Sequence, residues 1–383
     1  MPRDRLRVVH IITKLELGGA QQNTLYTVTH LDRSFFEPYL ICGEGGILDQ
    51  DARSLPDVSV HFCSPMLREI HPWNDWVAYR SLKSLLEKIE PDIVHTHSSK
   101  AGILGRLAAS AAKVPVVIHS YHGFGFHSFQ NPLVFRLYLE VEKEACRRAH
   151  HLIFVSKDNW KWAQELHLLQ GATASLIRSG VKADPLLQAT GKKHLREKLG
   201  IPEDVKLVGM IACLKPQKDP LTYVKVADLV TQRMPNVYFV LVGDGELCDI
   251  VLRNVSRMKH RNRFLHFGWR RDVPDLLANF DLMLLTSLWE GLPRVILEAT
   301  IAGVPTVASN IDGNREIVFE GRNGNLAEPR NAEDFAEKTM KALREEWKVD
   351  SELAREIRTE FDIDEMVRKQ EDLYRKLASA SRV

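Results

Sequence analysis

Two carboxylates stand on either side of a glycine turn in the segment 286–299, which reads TSLWEGLPRVILEA. Glu290 and Glu298 are eight residues apart, which corresponds to about 12 Å if the stretch were wholly helical. That span is similar to the distance between a ribose and a sugar attached beyond its diphosphate, so one nucleotide sugar could contact both. The alternative is that Glu290 caps a helix and Glu298 is a solvated helix residue.

A short helix is expected to follow this turn. Pro293 suits the first helical position and Gly303 suits the position just after a helix end, which predicts a helix over 294–302. The backbone amides of Gly291 and Leu292 would then point outward near the helix N-terminus. Unpaired N–H groups and the helix dipole make that position favourable for an anion.

Three further side chains, at the end of a strand or in the loop after one, could serve such a ligand. Lys218 follows an apolar strand pattern, and its ammonium could neutralise a diphosphate; a solvated loop lysine is the alternative. His122 directly follows another strand pattern, where an imidazole could orient a hydroxyl, unless it is a structural loop histidine. His97 ends a strand and is a plausible pocket residue.

Gly18 and Gly19 lie between the first strand pattern and a helical pattern. Because glycine has no Cβ, the backbone there can approach a phosphate or a sugar closely. A plain tight turn is the alternative interpretation.

The elements that position these residues alternate along the chain. Short runs rich in Val and Ile are separated by longer helical patterns, which is typical of βαβ units around parallel sheets. Strands are predicted over 6–13, 39–42, 58–63, 92–97, 114–120, 152–156, 174–178, 206–214, 238–242, 263–267, 281–286 and 305–308. Ligands are expected at the carboxyl ends of these strands.

The segment 286–305 resembles the signature of the retaining family 4 glycosyltransferases, which reads Glu-Gly-x-Pro, four residues, Glu-Ala, and then Gly-x-Pro. Further matches follow in the family's order over residues 6–330. They are Gly18-Gly19-Ala20, His95-Thr-His97-Ser-Ser-Lys-Ala-Gly102, His122-Gly123, Lys218, Gly243-Asp-Gly245, Gly268-Trp-Arg and Gly313-Asn-Arg-Glu316. The resemblance implies an α/β protein of the GT-B fold, in which two Rossmann-like domains face each other across a cleft.

The polar stretch between the two series of strands sets the expected boundaries. We predict a Rossmann-like acceptor-binding domain over 1–182 and a linker over 183–200. A Rossmann-like nucleotide-sugar-binding domain would cover 201–363, and a C-terminal helix over 364–383 could return to the first domain.

The resemblance also implies roles for individual residues. Glu290 would contact the transferred sugar, Glu298 the ribose hydroxyls and Lys218 the diphosphate, while His122 would lie near the transferred sugar. His122, Glu290 and Lys218 are the expected catalytic residues. Those expected to bind the donor are Gly18, Gly19, Lys215, Gly243, Trp269, Arg270, Gly291, Leu292 and Glu298.

One position departs from the family pattern. An arginine commonly precedes the conserved lysine by five residues and shares the diphosphate, but position 213 is a cysteine. Either Lys215 replaces the missing cation, or amides at a helix terminus suffice. For Trp269, ordinary packing is the alternative to a place beside the base.

The resemblance implies retaining transfer of a glycosyl group from a nucleoside diphosphate sugar, with UDP favoured over GDP. We expect this transfer to be metal-independent and its acceptor to be a hydroxyl of a glycan or a polyprenyl-linked acceptor. No cofactor is expected besides this substrate. We predict no metal site, because we expect His95 and His97 to point to opposite sides of their strand. The alternatives are a GT-B nucleotide-sugar 2-epimerase and a non-catalytic sugar-nucleotide-binding protein.

An apolar cluster follows His122 and is accompanied by basic residues downstream. Phe124 and Phe126 are its candidate acceptor-contacting members. The cluster also includes Phe129, Leu133, Val134 and Phe135, with Arg136, Lys143, Arg147 and Arg148. It could hold a lipid-linked acceptor or the bilayer surface; burial against neighbouring helices is the alternative.

The composition argues against several other classes of protein. The 52 basic and 50 acidic residues leave a net charge of +2, which is too balanced for a nucleic-acid binder by bulk charge. The five cysteines include no CxxC pair, which favours a reducing compartment. No stretch approaches the roughly 20 apolar residues that cross a bilayer, so we expect a cytoplasmic protein, at most seated on the inner face of the membrane.

Overall fold

The computed structural model describes residues 4–127, 130–189, 196–197, 201–202 and 204–381. Phe129 of the predicted apolar cluster lies outside these residues. The chain forms two compact units, one from Met1–Gly180 with Ile363–Val383 and the other from Val181–Asp362.

The first unit is built on a parallel sheet. Its strands are β1 (Leu6–Ile12), β2 (Phe36–Cys42), β3 (Ser59–Phe62), β4 (Ile93–His97), β5 (Val116–Tyr121), β6 (His151–Phe154) and β7 (Thr173–Leu176). They lie in the order β3-β2-β1-β4-β5-β6-β7. The helices between them are α1 (Gly19–His30), α2 (Asp49–Arg53), α3 (Pro72–Ile89), α4 (Ser99–Ala111), α5 (Pro132–Cys146) and α6 (Lys157–Glu165).

Burial and capping explain why these segments take these forms. Every residue of β4 and of β5 is buried, as expected for β-branched runs covered by helices on both sheet faces. Asn131 and Ser156 precede α5 and α6, and their side-chain oxygens accept hydrogen bonds from Leu133 N at 2.9 Å and Asn159 N at 3.1 Å. Such N-caps fix where the two helices begin.

The second unit contains a smaller parallel sheet. Its strands are β8 (Lys206–Ile211), β9 (Val237–Val242), β10 (Phe264–Phe267), β11 (Leu282–Leu285), β12 (Thr306–Ser309) and β13 (Gly324–Ala327). They lie in the order β10-β9-β8-β11-β12-β13. The helices are α7 (Ala183–Ala189), α8 (Pro220–Arg233), α9 (Cys248–Val255), α10 (Val273–Leu277), α11 (Arg294–Ile301), α12 (Ala332–Arg344) and α13 (Ser351–Glu360).

Strand order reverses beside the first strand of each sheet. In the first unit β1 lies between β2 and β4, and in the second unit β8 lies between β9 and β11. The loops that leave the carboxyl ends of two such strands diverge and open a crevice, where open parallel sheets bind their ligands. We call these two places the first and the second switch point.

The C-terminal helix α14 (Ile363–Ala380) belongs to the first unit, as the sequence suggested. Its residues Met366, Val367 and Tyr374 lie in the hydrophobic core beside strands of the first sheet. The chain therefore passes between the units at 180/181 and at 362/363.

The first part of the predicted linker over 183–200 is helical in the structure, and residues 190–195 and 198–200 lie outside the described residues. Ala183–Ala189 is helix α7 of the second unit, which packs on α10 and α11. Leu186 and Ala189 give this helix a buried side, which the surrounding polar residues conceal in the sequence.

Strand β13 was not predicted, because it is only four residues long and reads GNLA, a poor strand sequence by propensity. Its pairing with β12 forms it.

Among the helices of the described residues, none has the length and apolar character needed to cross a membrane.

Candidate functional site

The second switch point is formed by the loops that follow β8 and β11. A 3₁₀ turn over Pro216–Lys218 lies in the first of these loops. Leu288 N donates to Gln217 O at 2.7 Å, and Gln217 Nε2 donates to Trp289 O at 2.9 Å. These bonds join the two loops into one structure and bring Lys218 to Glu290.

Lys218 and Glu290 form an ion pair at this junction. The Glu290 carboxylate also accepts from Ser287 Oγ at 2.6 Å and, more weakly, from Gln217 Nε2 at 3.4 Å. Glu290 is 8 % exposed, whereas 17 % of the Lys218 side chain remains accessible. The glutamate is thus held in place by neighbours, and the ammonium is oriented beside it with donors to spare for an anion.

Sequence reasoning missed Ser287 and Gln217. A weak signal for Ser287 was present, because a serine three residues before a glutamate is the capping-box spacing, in which each side chain bonds to the backbone N–H of the other residue. Here the two side chains bond to each other instead. Gln217 carries no such pattern, since its contacts depend on the loop after β11.

Helix α11 begins at Arg294, and Pro293 is its N-cap with φ −77° and ψ 102° rather than its first helical residue. Glu290 therefore lies before the helix, and the 12 Å estimate for a wholly helical span does not apply. Glu298 is half-buried in α11 and accepts from Arg294 at 3.1 Å. Gly291 and Leu292 are both buried in the turn.

A second glycine supports this turn. Gly313 has φ +76°, and a Cβ there would lie 2.4 Å from Gly291 O. Close backbone contact at 313 therefore requires glycine and fixes the loop that carries Gly291.

The neighbouring loops complete the carboxyl edge of the sheet. Gly243 has φ +128°, and a Cβ there would lie 1.9 Å from Ala212 O, so the loop after β9 packs directly on the loop after β8. Gly243 N donates to Phe267 O at 2.9 Å at the end of β10. Trp269 is half-buried, and Arg270 forms an ion pair with Asp272.

Cys213 lies half-buried in the loop after β8. Lys215 follows it and precedes the 3₁₀ turn that ends at Lys218. Cys213, where the family has an arginine, and Lys215, its candidate replacement, therefore lie in the same short loop as Lys218.

The first switch point contains histidines in place of this ion pair. His10 on β1 is paired in register with His95 on β4. His10 Nδ1 lies 3.0 Å from His97 Nε2, and the rings of His95 and His97 are 4.2 Å apart. The expectation that His95 and His97 point to opposite sides was wrong, because residues two apart on a strand share a face.

These three rings are buried and uncharged. Burial lowers the pKa of His10 to about 3. Burial, together with neighbouring imidazoles, lowers the pKa of His95 and His97 well below the usual value. Ring nitrogens of the three lie within 4.8 Å of one another, a spacing that could hold a metal ion, so the absence of a metal site remains a prediction.

His122 is half-buried in the loop after β5, and its Nε2 lies 3.2 Å from His97 Nδ1. A small cavity beside both rings is lined by polar side chains that include Asn23, Thr24 and Gln370. The predicted pocket residue His97 is thus a buried neighbour of His122. Gly18, the N-cap of α1, and Gly19, its first residue, follow β1 at the same sheet edge.

The apolar cluster after His122 divides into two parts. Phe126 is 2 % exposed, and it packs with Phe124 and Trp162 at ring distances of 5.1 and 5.4 Å. Phe126 therefore belongs to the core and offers almost no surface to an acceptor, in contrast to its predicted role. Leu133 and Leu137 on α5 are 78 % and 65 % exposed.

Known protein families and relatives match nearly the whole chain. The glycosyltransferase family 4 model matches residues 17–184, and the model for glycosyl transferases group 1 matches residues 191–360. The chain is 34 % identical over 382 residues to UDP-Gal:alpha-D-GlcNAc-diphosphoundecaprenol alpha-1,3-galactosyltransferase of Escherichia coli, with 97 % of each chain covered.

A more distant relative is N,N'-diacetylbacillosaminyl-diphospho-undecaprenol alpha-1,3-N-acetylgalactosaminyltransferase of Campylobacter jejuni, 27 % identical with 69 % of this chain and 71 % of the relative covered. Among solved structures, Anabaena Alr3699/HepE in complex with UDP and glucose superimposes with a TM-score of 0.79 at 20 % identity, covering 97 % of this chain and all of that one. These likenesses place both units in the GT-B fold.

Proposed function

Because this chain belongs to the glycosyltransferases built from a family 4 and a group 1 domain, we propose that it transfers a hexose from a UDP-sugar to a sugar carried on polyprenyl diphosphate. UDP-galactose is the first donor to test, since the Escherichia coli relative is named for it. The observation that carries the proposal is the Lys218–Glu290 pair at the second switch point.

The second switch point suits the diphosphate and sugar of such a donor. Lys218 provides a positive charge in the loop after β8, and Glu290 lies beside it, where it would accept hydrogen bonds from sugar hydroxyls. Glu298 would bind the ribose hydroxyls from α11. Gly243, Trp269 and Arg270 are proposed to contact the nucleotide, because their loops form the same sheet edge.

Metal-independent catalysis is part of this proposal. As the bond to the diphosphate breaks, negative charge builds on the leaving group, and preorganised donors are most effective there. Lys218, the amides near Gly291 and Leu292, and Lys215 in place of the family arginine would supply this stabilisation. Activity that persists in excess EDTA is the expected result, and its loss with restoration by a divalent ion would contradict this part.

Retention at the anomeric carbon is proposed as well. Both relatives described above are named for alpha products, which form with retention from an alpha-linked donor. We propose attack by the acceptor hydroxyl on the same face as the departing diphosphate. NMR coupling constants of the product would show an alpha linkage, and a beta linkage would exclude retention.

Contact with the membrane surface would bring the enzyme to a lipid-linked acceptor. Leu133, Leu137 and Val141 are exposed along one side of α5. In α3, Trp73 and Trp76 are 66 % and 50 % exposed. Both helices begin at the carboxyl edge of the first sheet, and each carries exposed apolar residues suited to the interface of the inner membrane face.

Apolar insertion, rather than charge, would drive this contact. Arg147 and Arg148 of the predicted basic group both pair with Glu144, at 2.6 and 2.7 Å. Their charge is therefore partly compensated, which weakens attraction to anionic lipids.

Product formation tests the proposed reaction. The protein would be incubated with GlcNAc-diphosphoundecaprenol and, separately, UDP-galactose, UDP-glucose, UDP-N-acetylgalactosamine, UDP-N-acetylglucosamine or GDP-mannose. Release of the nucleoside diphosphate, UDP or GDP, and formation of lipid-linked product would be measured. We expect UDP release that requires the acceptor. Conversion of the free UDP-sugar without acceptor would indicate a 2-epimerase, and binding without turnover a non-catalytic protein.

Vesicle sedimentation tests the membrane surface. Vesicles of phosphatidylethanolamine and phosphatidylglycerol should bind the wild type, and the double variant Leu133→Ser/Leu137→Ser should bind at least about tenfold more weakly, given the usual value of burying two leucines. Leu252→Ser is the matched control, because Leu252 is 40 % exposed on α9 of the other unit. Equal binding by all three proteins would exclude this surface.

A further inference from the structure

Each switch point has a lysine beside the contact that joins its two loops. At the second, Gln217 joins the loop after β8 to the loop after β11, and Lys218 is the next residue. At the first, Thr13 directly follows β1, and its hydroxyl lies 2.7 Å from Oγ of Ser98, which directly follows β4. Lys14 is the residue after Thr13, so the two lysines occupy related places in the two sheets.

The contact between the loops after β1 and β4 involves an unusual backbone conformation. Ser98 has φ 60° and ψ 162°, a combination that residues other than glycine rarely adopt and that is common at functional sites. Its Oγ also accepts from Thr13 N at 3.3 Å, and Thr13 Oγ1 accepts from Ala101 N at 3.1 Å. These bonds fix the start of the loop that carries Lys14.

The side chain of Lys14 is half-buried and lies over the loop after β2. A Cβ at Gly45 would lie 3.7 Å from Lys14 Nζ, and a Cβ at Gly46 would lie 2.4 Å from Leu15 O. Asp49, the carboxylate of this loop, accepts from the N–H groups of Gly45 and Gly46 at 2.8 and 3.0 Å. The ammonium is therefore placed at the carboxyl edge of the first sheet, between the loops after β1 and β2.

Lys14 differs from neighbouring cations of this sheet edge in its ionic partners. Arg68, in the loop after β3, pairs with Glu16 at 3.5 Å, and Lys100, at the start of α4, pairs with Asp75 at 2.6 Å. Within the part of the chain that the structure describes, Lys14 forms no ion pair. Its three N–H donors therefore remain for a ligand.

The proposed reaction uses two diphosphates, one in the UDP-sugar and one in the lipid-linked acceptor. Lys218 is assigned to the first of them. We propose that Lys14 binds the second, which is the esterified diphosphate between the sugar of the acceptor and its polyprenyl chain. Its oxygens carry negative charge and accept charge-assisted hydrogen bonds from an ammonium. The identity of this ligand rests on the proposed function.

Binding of two ligands to two variants tests the assignment. Calorimetry would use UDP and a soluble acceptor analogue, GlcNAc-diphosphate esterified to a decyl chain, the analogue being titrated with UDP saturating. Lys14→Met should weaken binding of the analogue at least about tenfold, the value of a lost charge-assisted hydrogen bond, and leave UDP affinity unchanged. Lys218→Met should weaken UDP binding and leave binding of the analogue unchanged.

Two controls show whether the effect belongs to the diphosphate. Lys88→Met removes the same charge from an exposed position near the C-terminal end of α3 and should change neither affinity. The decyl glycoside of GlcNAc lacks the diphosphate and should bind the wild type and Lys14→Met equally. An equal loss of glycoside and analogue binding in Lys14→Met would contradict recognition of the diphosphate.

Other outcomes would overturn the inference as well. Lys14→Met might bind the analogue as tightly as the wild type does, or it could lose UDP affinity instead, which would assign Lys14 to the donor. If Lys14→Met does not fold, acetylation of the wild type with acetic anhydride decides. Peptide mass spectrometry should show that the analogue protects Lys14 and not Lys88, and protection of Lys14 by UDP alone, or by neither ligand, would contradict the assignment.

The failure of this inference is distinguishable from failure of the proposed function. If the analogue binds through Lys14 and no sugar is transferred, the proposed reaction is excluded and the diphosphate site stands. If sugar is transferred and Lys14→Met leaves the KM for the acceptor unchanged, the reaction stands and the site at Lys14 is excluded.

Discussion

The two switch points have the same topology and opposite electrostatics. At the second, a lysine and a glutamate form an ion pair that remains partly accessible to water. At the first, three histidines on the strands themselves are buried and neutral. Position within a parallel sheet therefore decides where a ligand can bind, whereas burial and neighbouring charge decide what kind of group can meet it.

The difference follows from the cost of burying charge. An ion in a low-dielectric site needs a partner and further hydrogen bonds, and Glu290 has Lys218, Ser287 and Gln217. The histidines are held among other imidazoles and hydroxyls, so the uncharged form is favoured. A charged pair suits a diphosphate, and neutral rings suit sugar hydroxyls.

Lowering the pH should produce the largest difference in stability between the two units. The folded-state pKa of His10, His95 and His97 lies below that of the unfolded chain, so their contribution to stability is complete above about pH 6.5 and is lost as the pH falls. Between the two pKa values, each such histidine lowers the free energy of unfolding by about 1.4 kcal/mol for every pH unit of acidification. The three together lower it by about 4 kcal/mol per pH unit. Hydrogen exchange with mass spectrometry should show β4 losing protection before β11 between about pH 7 and pH 5. Equal loss in both strands would contradict this difference.

Lys218→Met tests the charged switch point. Removing the ammonium should lower kcat by about 10² to 10³, as for loss of a preorganised donor to a developing anion. Lys225→Met, on the exposed side of α8, changes the net charge equally and should leave kcat unchanged. A wild-type rate in Lys218→Met would show that another cation serves the diphosphate.

The two glutamates should separate catalysis from binding. Glu290→Gln is expected to lower kcat about tenfold or more while UDP affinity is nearly kept. Glu298→Gln should weaken UDP binding about tenfold, because a charged acceptor for ribose hydroxyls is lost. Calorimetry with UDP and steady-state kinetics measure both effects. If neither variant changes either quantity, both residues are structural.

Ser287→Ala should give the smallest effect. Its hydroxyl lies 2.6 Å from the Glu290 carboxylate, and loss of one such hydrogen bond, worth about 1 kcal/mol, corresponds to about a fivefold fall in kcat. Ser256→Ala, at an exposed position after α9, is the control. A fall as large as that of Lys218→Met would mean that Ser287 has a role beyond holding Glu290.

Part of the site followed from the sequence. The loops that carry Lys218, Glu290 and His122 could be placed at strand ends from alternating patterns and glycine turns. The helix predicted over 294–302 differs from the observed helix α11 by only one residue, at its C-terminal end. The approach of Lys218 to Glu290, 72 residues apart in the chain, could not, because spatial proximity comes from the pairing of β8 with β11.

The apolar cluster after His122 also could not be resolved from the sequence alone. Phe124 and Leu133 have similar hydrophobicity, yet one joins the core and the other is exposed, because Trp162 from α6 packs against the first. Composition identified the cluster but could not show which of its members are buried and which are exposed.

Apart from β13, the sequence by itself determined the strands, the turns and the chemical types available at each sheet edge, because these depend on local periodicity and backbone freedom. Only the tertiary structure decided which side chains meet and which of them can hold a charge. It brought His10 from β1, His97 from β4 and Tyr374 from the last helix into one buried group. Burial of that kind is a property of the packed chain, and no single segment carries it.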